Sequence, residues 1–395
     1  MRWGYYVLLA VLCLTVGCET RQRTQQAEET QTALERGLAR LPVSIGENKT
    51  VTVQEGETWV DVGIRERVGF EHLTRANEGD ITKARKLNIP GRHQVPSLTR
   101  DGIVVNLPEL IDYRLADGRV EEWYPITIGR SEQWATPLGS LRVTTREKDP
   151  VWDRPDWAGG GRVPPGPSNP LGDRWIGLNK PGYGLHGTND PTSIGRFASA
   201  GCIRHFPEHI HELFDRVSIG TPVVITYQTV TVGVDDRIVY MSVFPDIYGR
   251  GTNSAGSARE RLGSFGLDGA LTDTELQERL ADTDGIARPL LGSTTKVRVN
   301  LLALDSPIGP TFKGGTGYLP VGPLADALDA QVTTQPEVIT LTRGDREITL
   351  SKEDNGFFTT LGTRFIPIAR TVKALGGNVD FEEGSIDITI NPLAR

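Results

Sequence analysis

Short apolar runs broken by Gly, Pro and Asp-Gly turns begin at Gly102 and set the strongest limit on the fold of this chain. GIVVNLPELIDYRLADGRVEEWYPITIGR contains several such runs, and TPLGSLRV at 136–143 adds a turn and a strand. Runs of this length between turn residues are typical of antiparallel strands and hairpins. Further along, HFPEHIHELFDRV predicts an amphipathic helix and TPVVITY a buried strand. We therefore predict a mainly β domain over residues 100–250.

The length of 395 residues is too great for one ordinary core, so several domains are expected. Charged residues make up 24% of the chain and hydrophobic ones 37%, which is typical of a soluble globular protein. The net charge is −7, so nothing favours nucleic acid as a partner.

The N-terminus carries Arg2 and then an apolar run that ends in LTVGC. This run is shorter than the ~20 apolar residues of a membrane-spanning helix and is typical of a secretory signal. LTVGC resembles the bacterial lipobox, which predicts a signal peptide at residues 1–18 and a lipid on Cys18. An uncleaved membrane anchor is the alternative. Either way, we expect an exported, membrane-anchored protein of the cell envelope that faces the periplasm or the cell wall.

Two further segments precede the β domain. Residues 19–45 are rich in Glu, Gln, Thr and Arg, which predicts a tether that reaches at most ~90 Å at ~3.3 Å per residue. Residues 46–99 resemble a lysin motif: a strand at Val51, a helix capped near Thr58, a second helix in VGFEHLTRAN and a final strand near HQVPSL. The resemblance implies a small α+β module that binds N-acetyl-sugar polymers such as peptidoglycan glycan. A module of this shape without glycan affinity is the alternative.

The C-terminal third begins with GTNSAGSARERLGSFG, which predicts a Gly/Ser-rich linker over 251–293 with one short helix in TDTELQERLA. An internal repeat follows, in which YLPVGPLADALDAQV and FIPIARTVKALGGNV align at an offset of 47 residues. Each unit predicts strand, Pro, helix, small residue, strand. Residues 294–395 thus resemble the copper amine oxidase N-terminal-like domain, an α/β accessory module. No His follows His211 and no Cys follows Cys202, so no metal site is expected there.

The stretch HGTNDPTSIGRFASAGCIR joins His186 to Cys202, the only cysteine beyond position 18. If Cys13 leaves with the signal and Cys18 is acylated, the mature chain keeps one thiol, which is unusual for an exported protein. A thiol becomes a strong nucleophile when a neighbouring imidazole takes its proton. Gly201 removes side-chain bulk at a place where backbone N–H groups could face a developing oxyanion.

These residues resemble the catalytic domain of the L,D-transpeptidases, the YkuD type, whose pattern is HG, an interval, and then S-x-G-C. TPLGSLRV and NPLGDRWIGL are similar to the family's upstream blocks, so the likeness covers roughly residues 102–250. The resemblance implies a β-sandwich-like fold with Cys202 as nucleophile and His186 as general base. It also implies that the Gly187 carbonyl orients the imidazole. Arg204 would pair with a substrate carboxylate, and Gly201 and Ser199 would lie at the oxyanion and substrate site.

What the resemblance implies about activity is a cysteine acyltransferase that needs no cofactor. It would form 3→3 cross-links between peptidoglycan stem peptides, or attach proteins to the wall, through a thioester. Two alternatives remain: an L,D-carboxypeptidase that uses water at the same site, and a non-catalytic wall-binding scaffold. Ala200 replaces a histidine that many relatives carry, so His186 alone must move the proton. A papain-like protease is disfavoured because no later Asn lies in a recognisable motif.

Several side chains have competing interpretations. Ser199 is either a hydrogen-bonding turn residue or a participant in the reaction. The histidines after the nucleophile are expected to be solvated or capping rather than metal ligands; these are His205, His209 and His211. Three tryptophans are expected either in the core or along the cleft; these are Trp152, Trp157 and Trp175.

Overall fold

The computed structural model describes residues 33–96 and 101–393, so the predicted signal peptide and Cys18 lie outside the described residues. An eight-stranded mixed sheet occupies the region predicted to be catalytic. Its strands, in their side-by-side order, are Ile203–Arg204, Gly184–His186, Arg174–Leu178, Gly139–Lys148, Pro222–Thr226, Gly102–Asn106, Ile111–Ala116 and Arg119–Pro125. The first two strands are parallel to each other, and Pro222–Thr226 is parallel to Gly102–Asn106, whereas the other neighbours are antiparallel.

Helix Pro207–Arg216 covers one face of this sheet. Proline is tolerated at its first position because the first N–H groups of a helix have no partner within the helix. Ile210, Leu213 and Phe214 recur at helical spacing and are buried in the core of the sheet. Smaller elements flank the core: a parallel pair, Ile128–Gly129 with Phe197–Ser199, and a hairpin, Trp152–Asp153 with Arg162–Val163.

Residues 48–90, here called the N-terminal unit, pair strand Asn48–Thr52 with Lys86–Pro90 around helices Trp59–Glu66 and Phe70–Ala76. Thr58 caps the first helix, as predicted. The predicted position of the final strand is wrong, because the partner strand ends at Pro90. Its alternating pattern explains the pairing, because Leu87 and Ile89 are buried whereas Lys86 and Asn88 are exposed. His93–Gln94 pairs instead with Ser44–Ile45.

A separate core joins parts of the chain that the sequence analysis assigned to four different segments: the tether, the catalytic domain, the linker and the C-terminal module. Strands Val230–Asp235, Ile238–Val243 and Arg288–Leu291 form a sheet, against which helices Ala255–Gly263 and Asp273–Ala281 pack. We call this the shared core; its buried residues are Leu34, Leu41, Val230, Val232, Val239, Met241, Val243, Ala258, Leu262, Leu267, Ala270, Leu271, Leu276, Leu290, Leu291, Ile308, Leu361 and Phe365.

The shared core corrects three predicted boundaries. Residues 251–293 are not a linker, because leucines at helical and strand positions within them are fully buried. The end of the predicted tether, including a helix over residues 33–38, also packs into this core. The catalytic sheet ends at Thr226, and residues 230–243 lie in the sheet of the shared core.

The C-terminal repeat has the predicted order of elements. Thr316–Pro320, Val321–Ala327 and Gln331–Gln335 recur as Thr363–Pro367, Ile368–Ala374 and Gly377–Glu382. The remaining strands of this region are Lys296–Val299, Leu302–Ala303, Thr311–Lys313, Val338–Arg343, Arg346–Ser351, Phe358–Thr360 and Ser385–Ile390. Among the helices of the described ranges, none has the length and apolar character needed to span a bilayer.

Candidate active site

The first two strands of the eight-stranded sheet bring His186 and Cys202 together. Leu185 pairs with Ile203 and His186 with Arg204 in parallel register. Continued by one residue, this register sets Cys202 beside Gly184. Because side chains alternate between faces, His186 and Cys202 project from the same face. Neighbouring strands lie ~4.8 Å apart and two residues rise ~6.6 Å, so the two Cα atoms are about 8 Å apart.

His186 is held as a neutral base. Its ring is buried, and Nδ1–H donates to the carbonyl oxygen of Gly187 at 2.6 Å, as predicted. This bond keeps the proton on Nδ1 and leaves Nε2 free to accept one. The pKa of His186 is lowered to about 3, mainly by burial and then by the charge of Arg204, while the backbone hydrogen bonds to Gly187 and Leu171 oppose the shift. Trp175 stacks on the imidazole, with ring centroids 5.8 Å apart.

Cys202 carries a half-buried free thiol. Burial raises the pKa of this thiol, while the backbone N–H of Gly184 and the charge of Arg204 act in the opposite direction. The thiol donates to the carbonyl oxygen of Gly182 at 3.4 Å, and no hydrogen bond to His186 occurs among those of the described residues. The resting pair is therefore a neutral thiol beside a neutral imidazole.

Ser199 and Gly201 shape the turn that precedes the thiol. The Ser199 hydroxyl donates to the carbonyl oxygen of Cys202 at 2.6 Å and accepts the N–H of Gly201 at 3.0 Å. Gly201 has φ +112°, and a Cβ there would lie 2.7 Å from the Tyr183 ring, so only glycine fits without strain. In this structure the Gly201 N–H is taken by Ser199, which places both residues in the turn rather than in an oxyanion hole.

Arg204 lies opposite His186 and is half-buried. Within residues 33–96 and 101–393, its guanidinium makes no side-chain hydrogen bond or ion pair with another residue. Its charge reaches both His186 and Cys202, as the pKa shifts of these two groups indicate. A guanidinium without a protein partner next to a nucleophile can bind a carboxylate through two parallel hydrogen bonds.

The three tryptophans differ in their positions. Trp175 contacts the imidazole of His186, while Trp152 pairs with Val163 in the short hairpin. Trp157 follows on the same hairpin, is 58% exposed and packs against Trp134 with ring centroids 4.8 Å apart and ring planes tilted by 56°. A Cβ on Gly201 would lie 3.5 Å from the carbonyl oxygen of Trp134, so this aromatic pair lies beside the nucleophile turn.

The expectation for the later histidines is wrong for two of the three. His205 is fully buried and its Nε2 lies 2.8 Å from the equally buried carboxylate of Asp112. His209 is buried too and contacts a backbone carbonyl of the N-terminal unit at 2.9 Å. Only His211 is half-exposed, with Asp173 as its partner at 2.7 Å. His209 is buried where the helix meets the N-terminal unit, whereas His205 precedes the helix and is buried against the catalytic sheet. The sequence pattern of one helix reveals neither contact.

Sequence reasoning missed residues that support the wall of the site from beyond the catalytic sheet. Tyr248 donates its hydroxyl to the carbonyl oxygen of Gly129 at 2.9 Å. Arg250 forms an ion pair with Glu132 at 2.8 Å, just before the turn that carries Trp134. No motif marks these contacts, because they arise only when the chain after Thr226 folds back over the sheet.

Comparison with known proteins agrees with this geometry. The chain matches the YkuD family, described as the L,D-transpeptidase catalytic domain, over residues 100–225. It is 31% identical over 179 residues to Bacillus subtilis YkuD, an L,D-transpeptidase by its description, covering 45% of this chain and 98% of that protein. It is 33% identical to the Salmonella typhimurium L,D-transpeptidase ErfK/SrfK, and the match covers 51% of this chain and 68% of that protein.

A further relative and a solved structure match shorter parts of this chain. The chain is 38% identical to Bacillus subtilis YqjB over 117 residues, and it spans 63% of that protein's length and 28% of its own. Among solved structures, the catalytic domain of the Enterococcus faecium L,D-transpeptidase is 25% identical and covers 33% of this chain and all of that domain, with a TM-score of 0.28. A superposition at that score does not bear on the assignment, which follows from the sequence relatives.

Proposed function

Because this chain belongs to the family of L,D-transpeptidases with a YkuD catalytic domain, we propose that it is an acyltransferase whose nucleophile is Cys202. The observation that carries the proposal is the parallel pairing of Leu185 with Ile203 and of His186 with Arg204, which brings Cys202, the residue directly before the second strand, next to the strand of His186. The imidazole there is neutral, and its tautomer is fixed by Gly187. A neutral base within reach of a neutral thiol can take its proton as attack begins.

In the first proposed step, the thiol exchanges its hydrogen bond to Gly182 for one to Nε2 of His186. The sulfur attacks the carbonyl carbon between the L-centre of a diamino acid and a terminal D-alanine. The proton passes from sulfur to Nε2, and from there to the departing amine of D-alanine. The C–N bond breaks and a thioester to Cys202 remains, so no cofactor is required.

The second proposed step resolves the thioester. The side-chain amine of a neighbouring stem peptide gives a proton to His186 and attacks the thioester carbonyl. Cys202 then leaves as a thiol, and a 3→3 cross-link is formed. An amine of a protein can replace that of the stem peptide as acceptor, and the protein is then attached to the wall. Water as acceptor would make the chain an L,D-carboxypeptidase instead. The unpaired guanidinium of Arg204 is available to hold the substrate carboxylate.

The wider assignment also belongs to this proposal. A lipid on Cys18 would anchor the protein in the envelope, and the N-terminal unit would act as a lysin-like module that binds glycan. The C-terminal repeat would be an accessory module of the copper amine oxidase N-terminal-like type. Substrate partners are then peptidoglycan stem peptides and glycan, with the membrane reached only through the lipid.

The test is acylation by a carbapenem, which mimics an acyl donor, followed by intact-mass measurement. The full chain should be used, since Leu34 and Leu41 are buried in the shared core and a shorter chain would lose them. We expect a stable adduct that is absent in Cys202→Ala and slower to form in His186→Ala. No adduct under any condition would favour the non-catalytic scaffold.

A second measurement separates the two enzymes. Mass spectrometry of digested wall after incubation with the chain shows either new 3→3 cross-linked dimers or only shortened stems. Dimers support the transpeptidase, and trimmed stems alone support the carboxypeptidase. The Cys202→Ala chain is the control for both products.

A further inference from the structure

We propose that the N-terminal unit positions the nucleophile, through the first turn of helix Phe70–Ala76. The inference rests on the proposed role of Cys202. Residues 187–201, here called the intervening loop, connect His186 to Cys202. The first N–H groups of a helix lack partners within it. Here the N–H of Phe70 donates to the carbonyl oxygen of Ile194 at 3.0 Å and that of Glu71 to Gly195 at 3.1 Å. The helix therefore begins directly on the intervening loop.

Two glycines make this approach possible. A Cβ on Gly69 would lie 2.4 Å from the Cα of Gly195, and a Cβ on Gly195 would lie 2.3 Å from the nitrogen of Phe70. Contacts this short do not occur between real atoms, so the two backbones touch where any larger residue would separate them. Gly195 also has φ +82°, a conformation that favours glycine.

The intervening loop is held on its other side by Thr127 and the strand Ile128–Gly129, which flanks the catalytic sheet. Arg196 lies over the Phe70 ring, 3.2 Å from its centroid, and its own carbonyl accepts the N–H of Ile128 at 3.3 Å. The Thr127 hydroxyl donates to the carbonyl of Ser193. The loop is thus fixed between the N-terminal unit and the strand Ile128–Gly129, with little freedom of its own.

The helix is in turn anchored to the sheet by a buried histidine. His72 accepts the N–H of Gly69 on Nδ1 at 3.0 Å, so Nε2 carries the proton and donates to the carbonyl of Glu109 at 2.6 Å. Neither of these bonds is exposed to water. The position of the helix start, and through it the position of the loop that ends at Cys202, is therefore set by the N-terminal unit. A displacement of about 1 Å at a reacting group can cost on the order of a hundredfold in rate.

The first test uses Gly69→Ala in the full chain. Gly69 has φ −100°, so alanine fits the backbone and the added methyl acts only by pushing on Gly195. We expect carbapenem acylation of Cys202 to slow by roughly tenfold to a hundredfold. The pH dependence of iodoacetamide alkylation, followed on the Cys202 peptide by mass spectrometry, should shift as well. Gly256→Ala is the matched control, because a Cβ there meets nothing within 4 Å.

The second test separates the hydrogen bond from the ring. Phe70→Pro and Phe70→Ala both remove the aromatic ring, but only proline removes the N–H that reaches Ile194. Proline is well tolerated at the first position of a helix, after an extended residue such as Gly69. We expect Phe70→Pro to acylate roughly fivefold more slowly than Phe70→Ala. This pair decides the matter if Gly69→Ala fails to fold.

The outcomes are distinct. A wild-type pH profile and rate in Gly69→Ala, or equal rates for Phe70→Pro and Phe70→Ala, would overturn the positioning role. So would a lowered melting temperature with an unchanged alkylation profile, since this indicates a purely structural contact. If the wild-type chain forms no carbapenem adduct, the proposed function fails, and the alkylation profiles alone still test the positioning.

Discussion

The catalytic sheet and the shared core are similar in the number of apolar residues they bury but differ in how the sequence supplies them. The core of the sheet is drawn almost entirely from residues 103–225, in one continuous stretch. The shared core takes its residues from five separate stretches, the first at Leu34 and the last at Phe365. A core built from one continuous stretch can be recognised from the local hydrophobic pattern. When a core is built from scattered segments, each segment contributes few apolar residues and is easily mistaken for a linker.

The two regions also divide the chemistry. All six histidines lie between His72 and His211, and none belongs to the shared core. The buried imidazoles therefore lie in the catalytic sheet with its covering helix, in the N-terminal unit and in the short strand His93–Gln94, while the buried residues of the shared core carry no titratable group. The predictions below act on one half and use the other as the reference, except the last, which concerns a contact between them.

The largest effect is expected from acid. Burial is the main cause that lowers the pKa of His72, His186 and His209 to about 3 each. The unfolded chain binds these protons near pH 6.5, so the stabilisation is full above that pH and is lost as pH falls towards 3. Between pH 6.5 and 4.5, the free energy of unfolding should fall by about 1.4 kcal/mol per pH unit for each histidine.

Native-state hydrogen exchange at pH 7 and pH 5 measures this loss. Amides of the eight-stranded sheet and the N-terminal unit should lose protection before those of the shared core. His72→Gln should lessen the loss by about one third. Equal loss of protection in both halves would contradict the confinement of acid sensitivity to the half that contains the buried histidines.

The next effect concerns rate alone. Replacing His186 by Gln removes the base while keeping a polar side chain of similar size. We expect carbapenem acylation of Cys202 to fall by roughly 10²- to 10⁴-fold, since general base catalysis contributes that much. The melting temperature of the shared core should not change. A rate within threefold of wild type, by stopped-flow or intact-mass kinetics, would rule out the role of the imidazole.

For Leu262→Ala we expect the opposite result, a loss of stability with little change in acylation rate. Leu262 lies in the segment predicted to be a linker, yet its side chain is fully buried in the shared core. We expect a loss of about 2–5 kcal/mol in the free energy of unfolding by urea titration, with little change in acylation rate at 25 °C. Leu302→Ala, at a side chain that is 75% exposed, is the control and should cost at most about 0.5 kcal/mol.

The smallest effect joins the two halves. Tyr248→Phe deletes the hydroxyl that donates to the buried carbonyl of Gly129. We expect a loss of about 1 kcal/mol in stability and a slowing of acylation by less than roughly fivefold. An unchanged rate together with unchanged exchange of the amides at 129–136 would show that this wall needs no support from beyond the sheet.

The sequence predicted what depends on local order. The cap at Thr58 and the repeat at an offset of 47 follow from the residues of each segment, whereas the bond from His186 to Gly187 was implied by the family resemblance. It did not predict the burial of His205 and His209, or the contact of Gly69 with Gly195. These depend on which surface of one segment meets another, and the residue types involved occur equally often on solvated surfaces.

The burial of Leu34 shortens the proposed tether between the lipid and the folded protein. If Cys18 is acylated, the chain from it to position 33 can span at most about 50 Å at ~3.3 Å per residue. The rest of the predicted ~90 Å is consumed within the folded body. The site at Cys202 would then stay close to the bilayer. Only glycan strands of the wall within this short distance of the membrane could be modified.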